Sequence, residues 1–349
     1  MEYRTLGNTG TVVSTLCLGT MTFGSESDEK VALDQLDRFL EQGGNFLDTA
    51  DVYSDGESET IIGRWLAARS GTRDRMVIAT KARFARGDGP NDIGLSRVSL
   101  TRALEASLRR LGVETIDLYQ AHAWDPLTPI EETLRFFDDA VRAGKIQYLG
   151  VSNFLGWQLQ KVALVTRHLG LAPIVTLQPQ YNLLQRAVEF ELTQVCVNEG
   201  IGILPWSPLG GGWLTGKYRR DRAPTGRTRL GEDPERGMEA YARRNPEERT
   251  WRVIEAVRSV AEARGASMAQ VALAWLVDRP AVTSVILGAR TPEQLDDNLS
   301  AAQVHLSAEE TARLDQASTP IMDDYPYGEL GVNQRDRGLP APRSSPPNP

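Results

Sequence analysis

The feature that most constrains this chain is a recurring unit: a short apolar run, then a helical stretch that stops at glycine. Candidate strands fall at 15–18, 45–48, 76–81, 115–121, 146–151, 173–178, 201–206 and 283–287. Between them the apolar spacing predicts helices near 28–43, 57–69, 97–111, 130–143, 156–169 and 187–199. Gly43, Gly112, Gly144, Gly170 and Gly200 stand where those helices end, and glycine supplies the left-handed backbone of a C-cap without a Cβ clash. At helix starts, Thr128-Pro129-Ile130-Glu131 and Thr291-Pro292-Glu293-Gln294 read as capping boxes with proline at the first helical position. Ser267…Gln270 and Ser307…Glu310 repeat the box without the proline.

Strands alternating with helices predict a parallel sheet with right-handed crossovers. About eight units over roughly 300 residues fit an α/β fold of the (β/α)8 TIM-barrel class. An open doubly wound sheet normally carries a G-x-G-x-x-G fingerprint after its first strand, and no such motif occurs here. Residues 3–13, alternating around Asn8-Thr9-Gly10, predict an N-terminal β-hairpin capping the barrel bottom. Residues 210–248 form a long polar loop after strand seven, rich in Gly and Arg, of the kind that serves as a lid or binding loop. The expected organisation is one barrel over residues 1–335 and a disordered Pro/Ser-rich tail over 336–349.

Composition narrows the partners. The net charge of −7 opposes nucleic acid as the main partner, because phosphate backbones repel an acidic chain. Cys17 and Cys196 lie apart in apolar runs, and the three histidines are scattered, so neither a disulfide framework nor a metal site is expected. The N-terminal MEYRTLGNTG lacks a signal-peptide pattern, and no apolar run is long enough to span a bilayer. The expectation is a soluble cytoplasmic protein whose oligomeric state the sequence leaves open. With only five lysines against 34 arginines, Lys81 and Lys217 are conspicuous.

Four polar residues sit at or just beyond strand exits: Asp48, Tyr53, Lys81 and His122. A titratable group at the end of a buried strand is costly unless paired. In a parallel barrel such residues converge at the end where barrel enzymes build their sites. A phenol, an amine, a carboxylate and an imidazole together make a plausible proton-transfer set.

The segments FLDTADVYSDGESETIIGRWL, IATKARF, IDLYQAHAWD, GKIQYLGVSN, LQPQYNLLQR, PWSPLGGGWLTGKY and ILGARTPEQLDDNL resemble the aldo-keto reductase family, in the family's order over residues 1 to about 318. The W-S-P-L and G-K-Y patterns are similar to its bacterial and potassium-channel-beta-like branch. The resemblance implies a barrel that binds NADPH and reduces a small-molecule aldehyde or ketone, such as a sugar or secondary-metabolite carbonyl. It implies Tyr53 as proton donor, Lys81 as the ammonium beside it, Asp48 as the partner of Lys81, and His122 as a hydrogen-bond donor to the carbonyl oxygen. A phenol has a pKa of ~10, and Lys81 is expected to lower it by about 2 units toward working pH.

The same resemblance assigns the cofactor contacts. Ser152, Asn153 and Gln178 would meet the carboxamide, and Trp206 would stack on the nicotinamide. Thr20, Met21 and Asp48 would lie near the ribose and nicotinamide. Ser207, Pro208, Leu209, Gly211 and Lys217 would take the pyrophosphate. Arg290, beside Gly288 at a helix start, would take the 2′-phosphate, with Arg229 as a further contact. Gln294, Asp297 and Asn298 would hold the adenosine. Gly211-x-x-x-x-Gly216-Lys217 nearly spells a P-loop, but Tyr218 stands where the magnesium-binding Ser or Thr belongs. Phe23, Phe84 and Trp124, with Met21 and Tyr53, are expected to wall an apolar substrate pocket. A second functional class fits the same branch: a low-turnover NADPH-sensing regulatory subunit.

Overall fold

The computed structural model describes residues 1–226 and 228–335; the tail expected to be disordered, 336–349, lies outside them. The chain divides into a unit spanning Met1–Ser318 and a second that starts at Thr319. In the first, β1 (Tyr3–Thr5) and β2 (Val12–Ser14) form an antiparallel hairpin. Eight parallel strands follow: β3 (Leu16–Gly19), β4 (Phe46–Asp48), β5 (Val77–Ala82), β6 (Ile116–Ala121), β7 (Ile146–Ser152), β8 (Ile174–Gln178), β9 (Gly202–Ile203) and β10 (Val285–Leu287). The order β10-β3-β4-β5-β6-β7-β8-β9 keeps sequence neighbours side by side. A parallel bridge between Ile203 and Val282 then joins the two ends, with Ile203 N–H donating to Ala281 C=O at 2.7 Å and Thr283 N–H to Ile203 C=O at 2.9 Å. The sheet is thereby closed into a (β/α)8 barrel, as the alternation predicts.

The outer helices are α1 (Glu29–Glu41), α2 (Glu57–Ala67), α3 (Arg97–Leu111), α4 (Ile130–Arg142), α5 (Gly156–Leu169), α6 (Leu192–Glu199), α7 (Arg229–Glu232), α8 (Tyr241–Arg244), α9 (Glu248–Arg264), α10 (Met268–Val277), α11 (Pro292–Leu299) and α12 (Ala308–Ser318). The second unit, taken alone, carries α13 (Glu329–Arg335). None of the described helices is long and apolar enough to cross a membrane.

Strand periodicity divides the apolar residues into two sets. Leu16, Leu18, Leu47, Ile78, Tyr119, Ala121, Leu149 and Val151 face the helices in the larger core. Cys17, Phe46, Ala79, Leu118, Leu204 and Ile286 fill the barrel interior, where Leu6 and Val13 of the hairpin plug one end. Two residues further along β4, β5 and β6 on that inner face come Asp48, Lys81 and Gln120. The alternation that fills the barrel with apolar side chains therefore carries polar ones to its C-terminal mouth.

Four local expectations are corrected. The helix foreseen over 187–199 is a short 3-10 turn, Ala187–Glu189, followed by α6. Thr128 does not cap α4: the N-cap is Pro129, which has no side-chain donor or acceptor, and the Thr128 hydroxyl donates to Asp125 at 2.6 Å. At α11, Thr291 accepts from Gln294 N–H at 3.3 Å, but the Gln294 carbonyl turns to Arg290 N–H at 3.0 Å, so the box is half-formed. The boxes at Ser267 and Ser307 are complete in both directions. The loop after strand seven is less open than its polarity implies, since it folds into a 3-10 turn (Gly210–Thr215) and the short helices α7 and α8.

Candidate active site

Asp48, Lys81 and Tyr53 meet at the C-terminal mouth of the barrel. The Lys81 ammonium has three N–H groups and no acceptor. It donates to Asp48 Oδ1 at 2.5 Å, to the Thr49 carbonyl at 2.7 Å and to Tyr53 Oη at 3.2 Å. Its side chain is 0% exposed and that of Asp48 2%. Burying two ions costs several kcal/mol each unless they are paired and their remaining bonds met. Here they are: Asp48 Oδ2 accepts from Gln120 at 3.2 Å and from Gln178 at 2.8 Å. Burial opposes the lysine's charge, yet Asp48 and then Tyr53 outweigh it and hold its pKa above the ordinary value.

Tyr53 is positioned by a strained turn. Ser54 and Asp55, next to it, both take left-handed backbone (φ 49° and 55°), which non-glycine residues adopt at a cost. Buried Ser58, at the start of α2 just past that turn, bonds to Thr49 Oγ1 at 2.9 Å, to Thr20 Oγ1 at 2.7 Å and to the Thr20 carbonyl at 2.9 Å. One expectation is reversed here. The Tyr53 pKa is raised and not lowered: burial dominates, and Lys81 pulls it down less than burial and the Asp48 charge together push it up.

His122 completes the set. Its ring lies 6.0 Å from that of Tyr53, edge to face, and 4.6 Å from that of Phe84. Burial first, then the charges of Lys81 and Arg83, push its pKa down to about 2. The imidazole is therefore neutral, offering one N–H and one acceptor nitrogen. Its Nδ1 is buried with no hydrogen-bond partner. Asn153, in left-handed backbone at φ 56°, fixes the residue by donating to the His122 carbonyl at 3.0 Å.

The other anticipated contacts divide into two groups. Asn153 Oδ1 accepts from the Trp206 indole at 3.1 Å, so these two side chains brace each other. Ser152 donates to the Gln178 carbonyl at 2.8 Å, Thr20 to the Asp48 carbonyl at 3.1 Å, and Asn298 to the Gly288 carbonyl at 3.4 Å. Asp297 accepts from Ser267 at 3.0 Å and Gln270 at 2.7 Å, joining α11 to the start of α10. Met21, Phe84, Trp124 and Trp206 retain surface at the mouth. Phe23 does not: it is 0% exposed, so it belongs to the core and walls no open pocket. Its position just past a strand exit hid this; its backbone carbonyl accepts from the Ser54 hydroxyl at 2.7 Å.

On the far side of Trp206, three consecutive glycines, Gly210, Gly211 and Gly212, all take positive φ (57°, 64° and 97°) after Ser207 at 53°. The turn is closed by its own backbone, Gly210 N–H donating to the Ser207 carbonyl at 2.9 Å and Gly212 N–H to the Leu209 carbonyl at 3.0 Å. Lys217, Arg229 and Arg290 stand close enough that burial first, and then the other two charges, lower the Lys217 pKa. Arg290 pairs with Glu232 of α7 at 2.5 Å, yet its Nη1 is buried without a hydrogen bond. This mutually repelling set, with an orphaned donor, fits a phosphate-bearing ligand.

Sequence reasoning missed Gln120, which holds the second oxygen of Asp48. Its signal was available: a polar residue two positions before His122 lies on the same inner face of β6. Among the described residues no group of His, Cys, Asp and Glu is arranged to hold a metal ion.

The Aldo/keto reductase family model matches residues 15–319. An uncharacterized oxidoreductase of Bacillus subtilis (strain 168), YrpG, is 39% identical over 317 residues, covering 88% of this chain and 93% of that protein. A probable voltage-gated potassium channel subunit beta of Arabidopsis thaliana is 36% identical over 309 residues, covering 87% and 92%. Versiconal hemiacetal acetate reductase of Aspergillus parasiticus is 33% identical over 343 residues, covering 92% and 98%. With a family match across the whole barrel and relatives of this similarity along nearly its full length, the chain belongs to the aldo/keto reductase family of oxidoreductases.

Proposed function

We propose that this chain reduces an aldehyde or ketone to the alcohol with NADPH, using Tyr53 as the general acid. Family membership supports a nicotinamide cofactor. NADPH in particular is favoured by the clustering of Lys217, Arg229 and Arg290, with one buried Arg290 nitrogen left without a hydrogen bond. Lys217 and the turn through Gly211 would hold the pyrophosphate, Arg290 and Arg229 the 2′-phosphate, and Trp206 the nicotinamide face. When bound, the cofactor supplies the hydride.

The observation that carries the reading is the direction of one hydrogen bond. Lys81 can only donate, so the Tyr53 oxygen accepts from it, and the phenol's own proton is left for another acceptor. A carbonyl oxygen at the mouth is that acceptor. As negative charge develops on it, Tyr53 delivers the proton, and Lys81 stabilises the phenolate that forms. Neutral His122 donates its N–H to the same oxygen and aligns it. Asp48, Gln120 and Gln178 keep the ammonium aimed at the phenol.

The test is NADPH consumption with a panel of aldehydes, comparing wild type with Tyr53→Phe. Equal turnover in the two proteins removes Tyr53 from the acid role. Titration of NADPH and NADH against Arg290→Ala addresses the cofactor separately: the variant should weaken NADPH more than NADH. A second reading, an NADPH-sensing subunit of low turnover, is favoured by the similarity to a probable potassium channel subunit beta. Slow cofactor release with negligible aldehyde reduction would select it.

A further inference from the structure

Among the described residues, every arginine that is at least partly buried pairs with a carboxylate or a carbonyl, except Arg83 and Arg229. Arg229 belongs to the cationic cluster beyond Trp206. Arg83 stands on the opposite side of the mouth, two residues past Lys81. Its Nε is buried and has no hydrogen-bond partner. Its guanidinium carbon lies 5.2 Å above the ring of its neighbour Phe84, and that ring packs at 4.6 Å against His122. The charge is close enough to contribute to the depressed basicity of the imidazole.

The charged groups around Arg83 do not neutralise it. Lys81 is cationic and His122 neutral. Asp125 is the acid that feels it, but that carboxylate is already held by Leu95 N–H at 2.8 Å, Leu127 N–H at 3.0 Å and Thr128 Oγ1 at 2.6 Å, and makes no ion pair with Arg83. Beyond β6, Trp124 forms an aromatic cluster, 5.3 Å from Phe154 and 5.4 Å from Trp157, edge to face.

We propose that Arg83 is a specificity-determining residue that binds a carboxylate on the carbonyl substrate, so the substrate class is an aldehyde or ketone carrying an acid group on an aromatic or apolar body. The inference rests on the carbonyl-reductase reading above. A guanidinium fork matches one carboxylate bidentately. A phosphate dianion would call for further free cations, and Lys81, two residues before Arg83, is committed to Asp48. With the acid group on Arg83 and the apolar body along Trp124, the carbonyl would face Tyr53 and His122.

The experiment compares 4-carboxybenzaldehyde with its neutral methyl ester, methyl 4-formylbenzoate, in wild type, Arg83→Gln and Arg83→Lys. Charge-assisted hydrogen bonds of this kind correspond to about 10- to 100-fold in affinity. Wild type should show a KM for the acid lower than that for the ester by about that factor. Arg83→Gln should raise the acid's KM by the same factor and well beyond any change it makes to the ester's, and Arg83→Lys should recover part of the loss. Binding of terephthalate, which has no reducible carbonyl, is followed by calorimetry in the same proteins and should be lost in Arg83→Gln. Equal KM values for acid and ester in wild type, or terephthalate binding indifferent to Arg83, would overturn the assignment. If neither aldehyde is reduced, the reductase reading fails, and the terephthalate titration still decides whether Arg83 holds a carboxylate.

Discussion

Lys81 and Asp48 meet at 2.5 Å inside the barrel, and neither side chain reaches solvent to any useful extent. The pair is a poor device for stability alone, since replacing buried ions with apolar groups is often neutral or favourable. Its value here is position: it presents an ammonium to the Tyr53 oxygen from a fixed direction.

Removing one partner should therefore be costly. Lys81→Met leaves Asp48 charged and buried, with Gln120 and Gln178 as its remaining donors. We expect a loss of about 3–5 kcal/mol in urea unfolding. Lys81→Met combined with Asp48→Asn should recover much of that loss without recovering activity. If the double variant is as unstable as the sum of the two single ones, the residues do not act as a pair.

Tyr53→Phe should lower kcat by about 10²- to 10⁴-fold, the range for loss of a positioned general acid. The phenol oxygen also accepts one of the three Lys81 bonds, so a small loss of thermal stability should accompany it. Cofactor affinity should hold, because the substitution touches none of the cationic groups near Gly210–Gly212. A kcat within a factor of about three of wild type would assign proton delivery elsewhere.

The architecture was legible in the sequence because strand and helix periods are local signals, and glycine marked the helix ends. The four site residues were legible for a related reason: a polar side chain at the end of an apolar strand has to be accommodated by something. What escaped was set by tertiary packing. The rise in the Tyr53 pKa is a contest between burial and two nearby charges, and no spacing rule weighs them. Phe23 looked like a pocket wall because it follows a strand exit, and only the fold shows it buried. The isolation of Arg83 is visible only once the other arginines have found their partners.

The pH profile should reflect a neutral imidazole and a protonated phenol. His122 is held at about 2 by burial and by the Lys81 and Arg83 charges, so it does not titrate near its usual 6.5. The rate of aldehyde reduction should accordingly be flat between about pH 5.5 and 8. It should fall on the alkaline side as Tyr53, whose pKa lies above 10.0, loses the proton it donates. A step near neutrality that disappears in His122→Asn would show that the imidazole titrates normally after all.

Asp51 offers a test of the buried charges behind the site. It is 3% exposed, its backbone N–H donates to the Lys81 carbonyl at 3.0 Å, and its carboxylate lies 3.2 Å from Arg86 without a hydrogen bond. Burial lifts its pKa from 3.8 to about 7; Arg86 opposes the rise, Glu59 adds to it, and Arg110 and Lys81 oppose it more weakly. Between those two values the folded protein binds a proton that the unfolded chain has released. Asp51 therefore contributes stability below pH 3.8 that is lost as the pH rises through about 7. Asp51→Asn removes this dependence, whatever fixed offset it introduces by leaving Arg86 without its partner. The difference in Tm between variant and wild type should move in the variant's favour from about pH 5 to 8, a shift readable by scanning calorimetry at several pH values. A difference that stays constant over that range would mean Asp51 is already ionised at pH 5, held charged by Arg86.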